Sequence, residues 1–207
     1  MADNYAKIVQ DNLEKLYRNL PENLADALPA VRDGDSFIFK AFGEQCRIQP
    51  EGIFLGEEKQ SGVFGILISL YALHVQTEPC VLEPLKSFKD FPNSMPYIGA
   101  FATHTEHILI PYAERIGKAS AQIMKQFGGQ TSPATVSGDF SFVIYPLPKI
   151  ALCYIFYNAD EDFPASATCL FSSNALTFAP IDAMADVGEY SSRKILEIID
   201  NISCRYH

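Results

Sequence analysis

The sequence predicts an α+β fold: a single domain in which antiparallel β-hairpin and meander segments pack against helices. Three observations carry that expectation. Strand-like runs are grouped toward the two ends of the chain, helical periodicity fills the segments between them, and the strand–helix–strand alternation of a parallel sheet is missing. The 207 residues are 48% hydrophobic and 20% charged, the proportions of one globular domain. A chain this long buries roughly 70% of its unfolded surface, so it needs neither metal nor disulfide merely to fold.

Taken in order, Val9, Leu13, Leu16, Tyr17 and Leu20 form one stripe of an amphipathic helix that Asp3 or Asn4 can cap. Pro21 suits the first turn of a short helix over 22–28, which Pro29 ends. Arg32-Asp33-Gly34-Asp35 is a turn signal, and the runs 36–42 and 45–49 around Gly43-Glu44 read as a β-hairpin. Pro50-Glu51-Gly52 then leads into a short strand over 53–55. The apolar run 62–75 is shorter than the roughly 20 residues that cross a bilayer and contains Ser69 and His74, which makes it a buried core helix.

Residues 78–96, rich in proline and charge, read as a loop wrapping the core, with at most one short strand near 85–88. A helix is expected over about 97–109 and a second from Pro111, where Tyr112, Ile116, Ala119, Ser120, Ile123 and Phe127 share a face. Gly128-Gly129 supplies its left-handed stop. The runs 140–145 and 150–157 are strand-like and joined by the stiff Pro146-Leu147-Pro148 corner, and 169–171 and 176–178 add a third and a fourth strand. Helical patterning closes the chain over 184–203, with Ile195, Ile198, Ile199 and Ile202 facing inward. There is no repeat, low-complexity segment or domain boundary.

Composition excludes several function classes. With 25 acidic against 16 basic side chains and a net charge of −9, the surface field repels phosphate backbones and anionic headgroups, so neither nucleic acid nor a membrane is the expected partner. The first residues show no apolar signal core. Five scattered cysteines, Cys46, Cys80, Cys153, Cys169 and Cys204, make no C-x-x-C pair, which fits a reducing cytoplasm. Cys153, inside an all-apolar run, reads as a small buried hydrophobe. No G-x-G-x-x-G, no P-loop and no G-x-S-x-G elbow occurs, so no cofactor is named, and only His74, His104, His107 and His207 can act as a neutral-pH base.

Two constellations remain. His104 and His107 stand at i and i+3 on a helix, near enough to share a metal with Glu106 or Glu114. Zinc helices more often use i and i+4 with a third ligand at a recognisable offset, and exposed or capping histidines are the expected role. The second constellation is acidic. If the strands on either side of Pro146 pair as a hairpin, Asp139 and the run Asp160-Glu161-Asp162 fall at one sheet end, where Asp139, Asp160 and Asp162 can hold a hard cation or share a proton. An ordinary solvated turn has the same composition, and Phe163-Pro164 after it fits one.

The ordered set Leu73-His74, Ser87-Phe88, Tyr97, Gly128-Gly129, Gly138-Asp139, Pro146-x-Pro148, Asp160-Glu161-Asp162-Phe163-Pro164 and Leu170-Phe171 resembles an uncharacterised family of mostly anaerobic bacteria and archaea, domain-of-unknown-function family 3786. The resemblance spans about residues 17–199. It supplies no catalytic residues. It implies a setting in anaerobic one-carbon or metal-cofactor metabolism, because some members look like the partner of a four-cysteine iron–sulfur segment. This chain has no such segment, and Ser172 stands where an Asp is expected after Leu-Phe. Two functions are therefore expected: a cytoplasmic binding or accessory domain that recognises a small molecule or a partner protein without catalysis of its own, or a metal-dependent enzyme built on Asp139, Asp160 and Asp162.

Overall fold

The computed structural model describes residues 2–204, so His207 lies outside it. Helix α1 (Ala2–Arg18) already includes Asp3 and Asn4, which therefore do not precede it as caps, and buries Val9, Leu13 and Leu16 as the stripe predicts. The following α2 (Leu24–Ala27) is a single turn, shorter than expected. Five strands then run as an antiparallel meander in spatial order: β1 (Val31–Asp33), β2 (Ser36–Ala41), β3 (Glu44–Gln49), β4 (Gly52–Leu55) and β5 (Glu58–Lys59). Alternation places Phe37, Phe39 and Ala41 of β2 and Cys46 and Ile48 of β3 in the core, with Lys40, Gln45 and Arg47 outside. The exposed outer strands β1 and β5 carry no apolar alternation and so leave no signal in the sequence.

The buried helix is α3 (Val63–His74), docked on α1 where Asn12 Nδ2 donates to Ser69 Oγ at 3.0 Å. After the long loop come β6 (Lys86–Ser87) and α4 (Ile98–Phe101), the latter continuing through a π-helical turn (Ala102–Glu106) and a 3₁₀ stretch (His107–Tyr112) into α5 (Ala113–Phe127). Pro111 therefore does not open a helix. It has no N–H to give the His107 carbonyl and its ring crowds that carbonyl, so the chain tightens to pass it. Gly128 then ends α5 at φ 63°, as expected.

The second sheet, also antiparallel, has the order β6, β10 (Ser166–Phe171), β9 (Ile150–Tyr157), β8 (Phe140–Leu147), β7 (Gln130–Thr131). Pro146 is not part of the β8–β9 corner. It sits inside β8 at a register irregularity between Ile144 and Leu147, where a missing N–H breaks no ladder bond, and the turn itself is Pro148-Lys149. Residues 175–177 form a 3₁₀ turn rather than a fourth strand, with Ala175 and Phe178 buried and Thr177 exposed. The last helix, α6 (Ile181–Cys204), begins one residue after Pro180 and buries Ile195, Ile198 and Ile199.

The main core lies between the inner faces of both sheets and the helices α1, α3, α5 and α6. The two sheets meet at the β2–β3 turn. Ala41 pairs with Glu44, leaving Phe42 and Gly43 as a two-residue turn with φ of 48° and 80°, the left-handed geometry such hairpins require. Phe42 adopts it despite its bulk because the ring is fully buried, edge-on to Phe64 at 4.8 Å, and its N–H donates to the Pro146 carbonyl at 2.7 Å. Phe42→Ala is therefore expected to destabilise the fold by roughly 3–5 kcal/mol, measured by urea unfolding at unchanged m-value.

Candidate functional site

Strand β9 is buried on both faces. Leu152, Tyr154 and Phe156 enter the main core, while Ala151, Cys153 and Ile155 form a second apolar cluster with Val143, covered by Cys80, Leu82, Leu85, Val136 and Tyr145. The first covering loop is tied down by Asn174, whose Oδ1 accepts from Val81 N at 2.8 Å and whose Nδ2 donates to the Pro79 carbonyl at 2.9 Å. Ser172 extends the ladder, its Oγ accepting from Ala151 N at 3.2 Å and its N–H donating to Ala151 O at 2.9 Å.

Toward the Tyr157 end the cover is incomplete and leaves a cleft of about 380 Å³. Leu85, Val136, Ile155 and Leu170 give it an apolar lining. Its rim is polar. Thr135 Oγ1 donates to the Glu83 carboxylate at 2.8 Å, linking the two covering loops, and Tyr157 OH donates to the Ser137 carbonyl at 2.8 Å. An apolar hollow of this size with a few fixed polar groups has the make-up of a ligand site.

The acidic candidates lie just past this rim. Phe140 pairs with Phe156, so Asp139 and residues 158–162 are brought to one sheet end as expected. They do not converge there. Asp139 Oδ2 accepts from Asn158 N at 2.6 Å, and Asp160 Oδ1 accepts from the N–H groups of Asp162 and Phe163 at 2.9 and 2.7 Å. Among the described residues no three His, Cys, Asp or Glu side chains gather into a set that can hold a metal, and this includes both Asp139, Asp160 and Asp162 and the His104–His107 pair. His104 instead faces Glu189 of α6 at 3.3 Å.

The π-helical turn positions a second polar group, on the inner side of the sheet. Glu106 Oε1 accepts from Cys169 N at 2.9 Å, sealing the edge of β10 beyond its short pairing with β6. Burial raises the Glu106 carboxyl, against the opposing effects of that N–H and of His107. Beside it Tyr154 OH shares a 3.0 Å hydrogen bond with Ser192 Oγ, which donates to the Thr105 carbonyl at 2.7 Å, and burial holds both the Tyr154 phenol and the Cys169 thiol far above their ordinary values. The cleft lining could not be found from the sequence, since its residues come from four segments and each is one apolar side chain in an apolar surrounding. Glu106 stands out in the sequence only as a candidate partner of the His104–His107 pair, and its bond to Cys169 N has no signal there.

The elements thus define an α+β domain with two antiparallel sheets and a partly covered outer face on the second. A family model described as domain of unknown function (DUF3786) matches residues 20–194, and the chain belongs to that family. No curated protein and no solved structure matches the chain significantly. Among the described residues no helix is long and apolar enough to cross a membrane.

A pH dependence follows from Glu106. Its folded carboxyl is raised above the value of 4.5 that it has when exposed, so folded protein holds that proton more tightly than the unfolded chain. The stability this gives is full below the unfolded value and is lost as pH rises through the folded one. Glu106→Gln keeps the acceptor for Cys169 N and removes the charge, so thermal unfolding at pH 7 should shift up by roughly 2–4 °C, a difference that closes as the pH is lowered toward 4.

Proposed function

We propose that the chain is a cytoplasmic recognition or accessory domain, without catalysis of its own, whose ligand occupies the cleft on the outer face of the second sheet. The observation that carries this reading is the cleft itself: an apolar lining open at the surface, with a polar rim whose groups are fixed by hydrogen bonds to one another. The thiols support it. Burial raises Cys46, Cys80 and Cys169 and pushes Cys153 up to about 11, so these side chains stay protonated and pack as hydrophobes, in keeping with free cysteines in a reducing compartment. The family resemblance, with its implied setting in anaerobic one-carbon or metal-cofactor metabolism, supports an accessory role.

The test is methyl-detected NMR of the full chain against a library of neutral, anionic and cationic fragments. Fragments that bind should perturb the methyl groups of Leu85, Val136, Ile155 and Leu170 ahead of those in the main core, and Val136→Asp should weaken them at least tenfold. A library that leaves those four residues unmoved overturns the proposal.

A further inference from the structure

Charge is not spread evenly over this chain. Between Lys125 and Arg193 the sequence has one basic side chain, Lys149, against seven acidic ones. Lys149 is only 5% exposed, its Nζ held by the Gln76 carbonyl at 2.6 Å, and so it contributes no accessible cation at the surface. The covering stretch 76–85 adds Glu78 and Glu83 and no base. Every segment that lines the cleft is therefore drawn from sequence whose exposed charges are all negative, apart from Lys86 and Lys89 just beyond its border.

Within that field Glu83 lines the cleft, and the exposed run Asp160-Glu161-Asp162 follows the cleft residue Tyr157 by three to five positions, at the sheet end that it shares with Asp139. Next to these stands Phe163, a large apolar side chain left 70% exposed on a turn whose own N–H is tied back to Asp160. Tyr157, which lines the cleft, is itself 42% exposed. Two exposed aromatic rings thus flank the carboxylate run in the chain, Tyr157 in the cleft before it and Phe163 directly after it. A ligand confined to 380 Å³ leaves that outer ring unused, whereas an extended chain with alternating character reaches both.

We propose that the occupant of the cleft is a segment of a partner protein, a short stretch of basic residues interleaved with apolar ones, which sets an apolar side chain among Leu85, Val136, Ile155 and Leu170 and its Lys or Arg heads against Glu83 and the Asp160–Asp162 run. The inference rests on the cleft being a ligand site and adds what fills it. Apolar anchoring supplies the affinity, and the negative rim steers and orients the approach, so binding should weaken with salt without vanishing at 0.15 M.

The probe is a fluorescein-labelled 12-residue peptide of alternating Lys and Leu, titrated with the full chain by anisotropy in 0.15 M salt, beside an equal-length Glu and Leu peptide and the polyamine spermidine as competitor. The Lys and Leu peptide should bind, and the Glu and Leu peptide should not. The double variant Glu161→Lys/Asp162→Lys should weaken binding at least tenfold, as should Phe163→Ser, while Glu22→Lys/Asp26→Lys, equal in charge but on the exposed surface near α2, should change it less than twofold. Equal losses from both double variants would reduce the effect to net charge and overturn the inference. Full displacement by spermidine at equal concentration would overturn it in favour of a small cation. No peptide binding, with the fragment experiment positive, removes the peptide inference alone; failure of both removes the cleft reading as well.

Discussion

The strand Ile150–Tyr157 is apolar on both faces, and most of the architecture is what that single fact requires. One face is satisfied by the helices of the main core. The other, with Ala151, Cys153 and Ile155, would leave a continuous apolar patch in water if the sheet were one-sided, as antiparallel sheets commonly are. The chain has no helix to spare for it. Instead two irregular segments, one before α4 and one before β8, are laid across the sheet: the first has its backbone held by Asn174 and by Ser173, which donates its N–H to the Val81 carbonyl at 2.8 Å, and the second is held by Tyr157 OH at the Ser137 carbonyl. Loops cover a flat surface less completely than a helix does, and the cleft is the part left open.

The two sheets share the helical core but touch each other directly over a very small contact. The tip of the β2–β3 hairpin reaches β8 at the irregularity caused by Pro146, whose carbonyl is free to accept from Phe42. The same Phe42 ring begins a chain of edge contacts through Phe64 to Tyr190 at 5.2 Å, so one residue joins both sheets to α3 and α6. Gly43 beside it has φ 80° and faces the Gln126 side chain so closely that an added Cβ would stand 3.0 Å from Gln126 Cγ, which brings α5 into the same junction. A left-handed phenylalanine is costly in isolation and is maintained here because its N–H is held by β8 and its buried ring by Phe64 of α3.

The parts of the fold that follow a period were legible in the sequence: the α1 stripe, the apolar α3, the face of α5 with its glycine stop, the β2–β3 hairpin and the β8–β9 pair. What escaped had a local cause in each case. Pro111 has the same appearance at the first turn of a helix as inside a 3₁₀ stretch, and only the packing of the π-helical turn on β10 and α6 decides between them. Leu176 and Phe178 alternate like a strand, yet the turn at Ser172–Asn174 is committed to clamping the loop over the sheet, and the chain leaves it as 3₁₀. The sheet-end placement of Asp139 and Asp160 was readable from the hairpin. The direction of their oxygens was not, since that depends on which backbone N–H groups lie within reach.

Those N–H groups decide what the acidic run is suited to. A metal site needs several carboxylate oxygens turned toward one point. Here one oxygen of Asp139 and one of Asp160 are engaged by neighbouring N–H groups, and among the described residues these carboxylates do not gather with a third ligand into a set that can hold a metal. The same bonds fix the carboxylates in place, so that a cationic group arriving from solvent meets charges that need no further ordering. By contrast Tyr154 and Ser192, on the inner side of the sheet, are buried and hydrogen-bonded to each other and to the Thr105 carbonyl, the Thr105 hydroxyl is buried without a partner among the described residues, and Glu106 is bound to the edge of β10. These bonds specify how the sheet sits on α6. On the loop-covered face the polar groups of Glu83, Thr135 and Tyr157 are hydrogen-bonded and still accessible, which is what the proposed recognition role needs.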